Sequence, residues 1–201
     1  MSKDSYHALT TTPQDGKPLL FAFHGTGGDE HQFFDLAKSL VPGAGVVSPR
    51  GDVSEMGANR FFRRTGEGVY DLDDLAKRTA QMAAYVESFK AEHPESPVYG
   101  FGYSNGANIL ASVVLTRPDL FDRIGLLHPL IPWDPDPVEG LRGRKVLISA
   151  GRQDPITLWP ASERLITWFQ DQGAEVSTAV HEGGHELRET EIEALAQLLT
   201  G

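Results

Sequence analysis

Cysteine is absent from the 201 residues, which removes disulfides, thiolate metal ligands and a cysteine nucleophile together. Long apolar runs are absent too. No stretch of about 18 apolar residues occurs, so no segment reads as a spanning helix and no membrane insertion is expected. The opening residues Met1-Ser2-Lys3-Asp4-Ser5-Tyr6-His7 lack the apolar core of a signal peptide, and the expected location is cytoplasmic. Cations are scarce: 18 lysines and arginines against 28 aspartates and glutamates leave a net charge of −10. A surface of that sign repels phosphate backbones, so nucleic acid is not an expected partner.

What remains has the makings of a globular domain. Hydrophobic residues are 40% and charged residues 23%, and the length suits a single domain spanning 1–201 with a substantial core. Apolar runs alternate with helical patterns from end to end, the signature of βαβ units around a mostly parallel sheet with helices on both faces. The clearest strands are Leu19–Phe23, Val98–Gly102, Ile124–Leu127 and Val146–Ala150. Their near-continuous apolar character, rather than alternation, fits strands covered on both sides. Ala44–Val47 is a weaker strand, and Glu175–Val180 a further one nearer an edge.

A helix is predicted after Asp71, with Leu72, Leu75, Thr79, Met82, Val86 and Phe89 on one face. Others are predicted at about 30–40, 105–116, 160–172 and 186–199. Residues 50–70 and 129–144 resist both periodicities and read as irregular binding loops.

The chemistry-bearing pattern is Gly102-Tyr103-Ser104-Asn105-Gly106, a G-x-S-x-G that follows a strand and opens a helix. In that setting a sharp turn lifts the serine above the sheet, near the free N–H groups of a helix start. A serine nucleophile needs a base, and the base an orienting carboxylate. Asp154 stands just beyond the strand Val146–Ala150, and His185 beyond Glu175–Val180, in the chain order Ser…Asp…His. The glycine loop His24-Gly25-Thr26-Gly27-Gly28 ends the strand Leu19–Phe23. The backbone N–H groups of Thr26 and Asn105 are therefore the candidate oxyanion hole.

Several residues have competing readings. His181-Glu182-Gly183-Gly184-His185 matches H-E-x-x-H, a zinc motif that works on a helix, where two central glycines are unfavourable. No metal is expected. His24 reads as a brace for the glycine loop, His31 as a surface residue, and His128 as structural or pocket-lining. Arg60, Arg63 and Arg64 either bind a substrate carboxylate or pair with the acidic surface. Phe61, Phe62, Trp133 and Ile156 are candidate pocket walls.

Taken together, His24–Glu30, Gly102–Asn108, Gly151–Pro155 and Gly184-His185 resemble the phospholipase/carboxylesterase family, which includes acyl-protein thioesterases. Arg60-Phe61-Phe62-Arg63-Arg64 with Glu67-Gly68-Val69 is similar to bacterial carboxylesterases linked to hydroquinone resistance. The resemblance spans about residues 19–200. It implies the α/β-hydrolase fold and hydrolysis of small carboxylic esters through an acyl-enzyme, without a cofactor. Thioester or lysophospholipid hydrolysis on the same triad, and non-catalytic ligand binding, are the alternatives. A homodimer is expected by analogy only.

Overall fold

Leu19 to Phe23 are wholly buried, and alternate members of this run join opposite faces of a sheet. The computed structural model describes residues 3–201; Met1 and Ser2, part of the stretch read for a signal peptide, lie outside them. In chain order the strands and helices are β1 (Ala8–Thr10), β2 (Leu19–Phe23), α1 (Phe34–Leu40) and β3 (Gly45–Pro49). Four short strands follow: β4 (Val53–Glu55), β5 (Ala58–Arg60), β6 (Arg64–Gly66) and β7 (Val69–Tyr70). Then come α2 (Leu72–Glu92), β8 (Val98–Tyr103), α3 (Asn105–Thr116) and β9 (Arg123–Leu127). The chain finishes with β10 (Lys145–Gly151), α4 (Trp159–Asp171), β11 (Glu175–His181) and α5 (Glu189–Thr200).

The main sheet has seven strands in the order β1-β3-β2-β8-β9-β10-β11. All neighbours are parallel except the edge pair β1 and β3. Phe21, Phe23, Ile124, Leu126, Val146 and Ile148 pack in one cluster with residues of α2, α3 and α4. Leu20, Ala22, Leu127 and Leu147 pack in the other with α1 and α5. Two covered faces explain why the central strands carry no polar alternation. The predicted strand Glu175–Val180 is β11, and it does close one edge of the sheet.

α2 starts where Asp71 caps it, its side chain accepting from Asp74 N–H at 3.0 Å. Its buried face runs through Leu75, Thr79, Met82, Val86 and Phe89 and also takes in Tyr85. Leu72, predicted on that face, is instead exposed: as the first helical residue it reaches past the core onto a surface groove. No helix among the described residues is long and apolar enough to cross a membrane.

Residues 50–70 are not irregular, as predicted, but form two hairpins, β4–β5 and β6–β7. The first turns at Met56 and Gly57, both with positive φ, the left-handed pair that matches strand twist in a two-residue loop. Strands of two or three residues are too short to display a period of two. Residues 129–144 do lack a regular element.

Sheet order fixes where chemistry can occur. From β2 the chain steps to β3 on one side, and β8 pairs with β2 on the other. The strand order therefore reverses between β2 and β8, and a crevice opens at their carboxyl ends.

Candidate active site

Two loops meet in that crevice. After β8 the chain turns at Ser104, whose φ of 52° is left-handed, and enters α3 at Asn105. Such a turn needs glycine on both sides. A Cβ on Gly102 would stand 2.5 Å from backbone atoms of Gly106, and one on Gly106 2.3 Å from Phe23 O. The G-x-S-x-G spacing is thus a steric requirement of placing Ser104 above β2 and β8.

Asp154 follows β10 in a loop that folds back on its carboxylate. Ile156 and Thr157 N–H donate to Oδ1 at 2.8 and 2.9 Å. His185 follows β11, and its loop is tied down by Gln153 N–H to Gly183 O at 2.9 Å and by Tyr103 Oη–H to His185 O at 2.6 Å. The three side chains form one line: Ser104 Oγ to His185 Nε2 is 2.8 Å, and His185 Nδ1 to Asp154 Oδ2 is 2.6 Å. The Asp154 side chain is wholly buried, whereas that of His185 keeps 16% exposure toward the cleft. Burial alone would raise the Asp154 carboxyl, but hydrogen bonds led by Thr157 N–H, with the two imidazoles, hold it below the usual carboxylate range.

The glycine loop after β2 is braced from several sides. His24 Nε2 accepts from Gly51 N–H at 2.9 Å, so Nδ1 carries the proton that goes to Gly25 O at 2.7 Å. Burial holds this imidazole below the ordinary histidine value, in keeping with that neutral tautomer. Arg50 grips Glu30 with two bonds of 2.6 Å and keeps its carboxyl down at about 2. Exposed His31 packs near the same carboxylate. The β4–β5 hairpin adds Asn59, which accepts from Gly27 N–H at 3.0 Å, and Arg60, whose Nη1 donates to Thr26 Oγ1 at 2.7 Å. Phe61 N–H donates to Asn105 Oδ1 at 2.7 Å, so the same segment steadies the residue after the serine.

A cleft of about 310 Å³ opens beside Ser104, lined by Thr26, Arg60, Arg64, Tyr70, Asn105, Asn108, Leu130, Ile156 and His185 among others. A larger groove of about 520 Å³ lies between α2 and α3, away from Ser104 and His185. Ile156, one of the candidate walls, borders the cleft. Phe61 and Phe62, offered as walls, do not: both are buried, Phe61 packing edge-on against Phe23 and tilted against His24, while its backbone N–H holds Asn105. Trp133, the third proposed wall, borders the α2–α3 groove and another beside α4.

The arginines have acidic partners. Arg63 pairs with Asp71, and Arg64 holds Glu55 at 3.0 Å and Glu67 at 2.6 Å, yet Arg60 and Arg64 also border the cleft. Tyr70, Tyr103 and Asn108 went unpredicted; Asn108 donates to Tyr70 Oη and accepts from Leu130 N–H. The only available signal was their position beside the G-x-S-x-G motif and the hairpin.

Metal-type donors gather deeper. His128, His181 and Glu191 offer ligand atoms within 4.8 Å of one another, as do His128, Asp154 and His185. Gly183 N–H donates to His181 Nδ1 at 3.0 Å, so the proton of His181 sits on Nε2, facing Glu191, where a metal would need a lone pair. The H-E-x-x-H stretch spans a strand end and a loop, and its two imidazoles point to different partners.

No protein-family model matches the chain. It is 37% identical over 177 residues to MhqD of Bacillus subtilis, assigned as a hydrolase, covering 87% of this chain and 88% of that one. Among solved structures, the Agrobacterium tumefaciens protein Atu2452, of unknown function, superposes with a TM-score of 0.94 at 49% identity over 99% of this chain and 98% of its own. A carboxylesterase of Bacillus cereus superposes with a TM-score of 0.90 at 34% identity, over 96% and 93%.

Proposed function

Because the chain belongs to the phospholipase/carboxylesterase family of α/β-hydrolases and is a carboxylic ester hydrolase, we propose that Ser104, His185 and Asp154 carry that hydrolysis through an acyl-enzyme. The observation that carries the reading is the unbroken hydrogen-bonded line from Ser104 Oγ to the buried Asp154 carboxylate. As Ser104 Oγ attacks the ester carbonyl, its proton passes to His185 Nε2. Asp154 holds the Nδ1–H tautomer and stabilises the imidazolium that forms. The tetrahedral oxyanion is met by the backbone N–H groups of Thr26 and Asn105, each such donor being worth about 3 kcal/mol in the transition state. His185 returns the proton to the departing alcohol and then activates the water that releases the acid.

The cleft favours small, polar esters. Its volume is about 310 Å³, and Arg60, Arg64, Glu67 and Asn108 border it. A long acyl chain would have to desolvate those groups without pairing them. A p-nitrophenyl ester series tests the reading: acetyl and butyryl esters should turn over faster than decanoyl. Activity should vanish with a serine-directed phosphonate and ignore a metal chelator. Activity lost to the chelator would overturn the serine mechanism.

A further inference from the structure

Asp154 is bonded more fully than the orientation of one imidazole requires. Two amides fill Oδ1, and Oδ2 faces two histidines, His185 Nδ1 at 2.6 Å and His128 Nδ1 at 3.0 Å. That occupies roughly all four lone-pair sites of a carboxylate. On its other side His128 Nε2 lies 2.9 Å from Glu191 Oε1, and Glu191 Oε2 lies 3.3 Å from His181 Nε2. The side chains of His128, Asp154 and Glu191 are all shut off from water.

With Asp154 and Glu191 both ionised, as their lowered values favour, the proton count of this line is fixed. Ionised carboxylates only accept, so a ring nitrogen facing one must carry hydrogen. His128 faces a carboxylate from each nitrogen, whereas a neutral imidazole has a single N–H. Burial opposes its charge, but the carboxylates of Glu191 and Asp154 beside it outweigh burial and hold His128 above the ordinary histidine value. Burial would likewise raise Glu191, yet the adjacent His128 imidazole leads the groups that hold it down. The groups around His128 are Asp154 after β10, Glu191 on α5, His181 ending β11, His185 in the next loop and Tyr103 ending β8.

The backbone agrees. Met56, Ser104 and His128 are the non-glycine residues with positive φ among those described, and two of the three adjoin this line. A left-handed non-glycine costs about 1 kcal/mol or more and persists where its surroundings over-determine it. Here His128 N–H donates to Ser149 O at 3.2 Å, Nδ1 is held by Asp154 at 3.0 Å and Nε2 lies against the Glu191 carboxylate.

We infer that His128 is a protonated positioning residue, clamped between Asp154 and Glu191 so that it fixes the carboxylate behind His185 and offsets part of its charge. This rests on the Ser104–His185–Asp154 reading. Without the cation, Asp154 would favour a proton on His185 more strongly. The acid limb of the kcat/KM profile would then lie at higher pH.

His128→Asn is the informative variant, because asparagine tolerates left-handed backbone and keeps a donor for Asp154 without the charge. The acid limb should move up by about one pH unit, so that kcat/KM well down that limb falls about tenfold, with a phosphonate adduct still forming at Ser104. Adding Glu191→Gln should restore thermal stability while the limb stays shifted. In ¹⁵N-histidine-labelled wild type, two ring N–H signals from His128 should persist at pH 8. A folded His128→Asn protein with an unmoved limb, or a single N–H in the wild type, overturns the inference. Failure of the parent reading looks different, since Ser104→Ala would then keep its activity.

Discussion

Behind His185, the charges of Asp154, His128 and Glu191 are sealed in the protein; in front of Ser104, Arg64 meets Glu55 and Glu67 where side chains keep 24%, 30% and 59% of their exposure. The same kinds of ion pair serve different ends on the two sides. A sealed pair cannot lose one member cheaply, because the survivor stays buried and uncompensated. A pair at the cleft rim loses little, since water replaces the partner. The back of the site is therefore built for a fixed geometry, and its front can change with the substrate. Arg60 bridges the two regimes: it borders the cleft yet is buried, and it braces Thr26.

The largest effect on stability should come from Glu191→Ala, which strands the His128 cation and should cost about 3–5 kcal/mol by denaturant unfolding. Phe61→Ala comes next at about 3 kcal/mol or more, since its buried ring supports Phe23 and His24 rather than a substrate. If it altered acyl preference without lowering stability, the placement of Phe61 beneath the cleft would be wrong. A pH effect should follow. His128 is raised in the folded state, so its contribution is fully present below about 6.5 and is lost as pH rises through its elevated value. Wild-type Tm should accordingly decline on the alkaline side, and His128→Asn should flatten that decline. Arg64→Ala should be the mildest change, within about 1 kcal/mol in stability and felt in KM more than kcat. A loss as large as that of Glu191→Ala would erase the distinction between the two walls.

Most of the sheet was legible in the sequence because strands covered on both faces must be largely apolar, as Leu19–Phe23 and, apart from Ser149, Val146–Ala150 are. Ser104, Asp154 and His185 were legible as candidates because each follows a strand, and the structure brings them within hydrogen-bonding distance. Glu191 carried no signal: in the first turn of an amphipathic helix a glutamate reads as a solvated anion, and only the tertiary fold turns it toward His128. Phe61 and Phe62 misled for a related reason. Aromatic residues beside a glycine-rich stretch suggest a wall, but whether they face the cleft or the core depends on a hairpin too short to show its pattern.

Intact-mass and peptide mapping after treatment with a fluorophosphonate probe would test the role of Ser104 most directly. One adduct per chain is expected, carried by the peptide that contains Ser104 and lost in Ser104→Ala. An adduct on another residue, or ester hydrolysis that continues while Ser104 stays unlabelled, would contradict it.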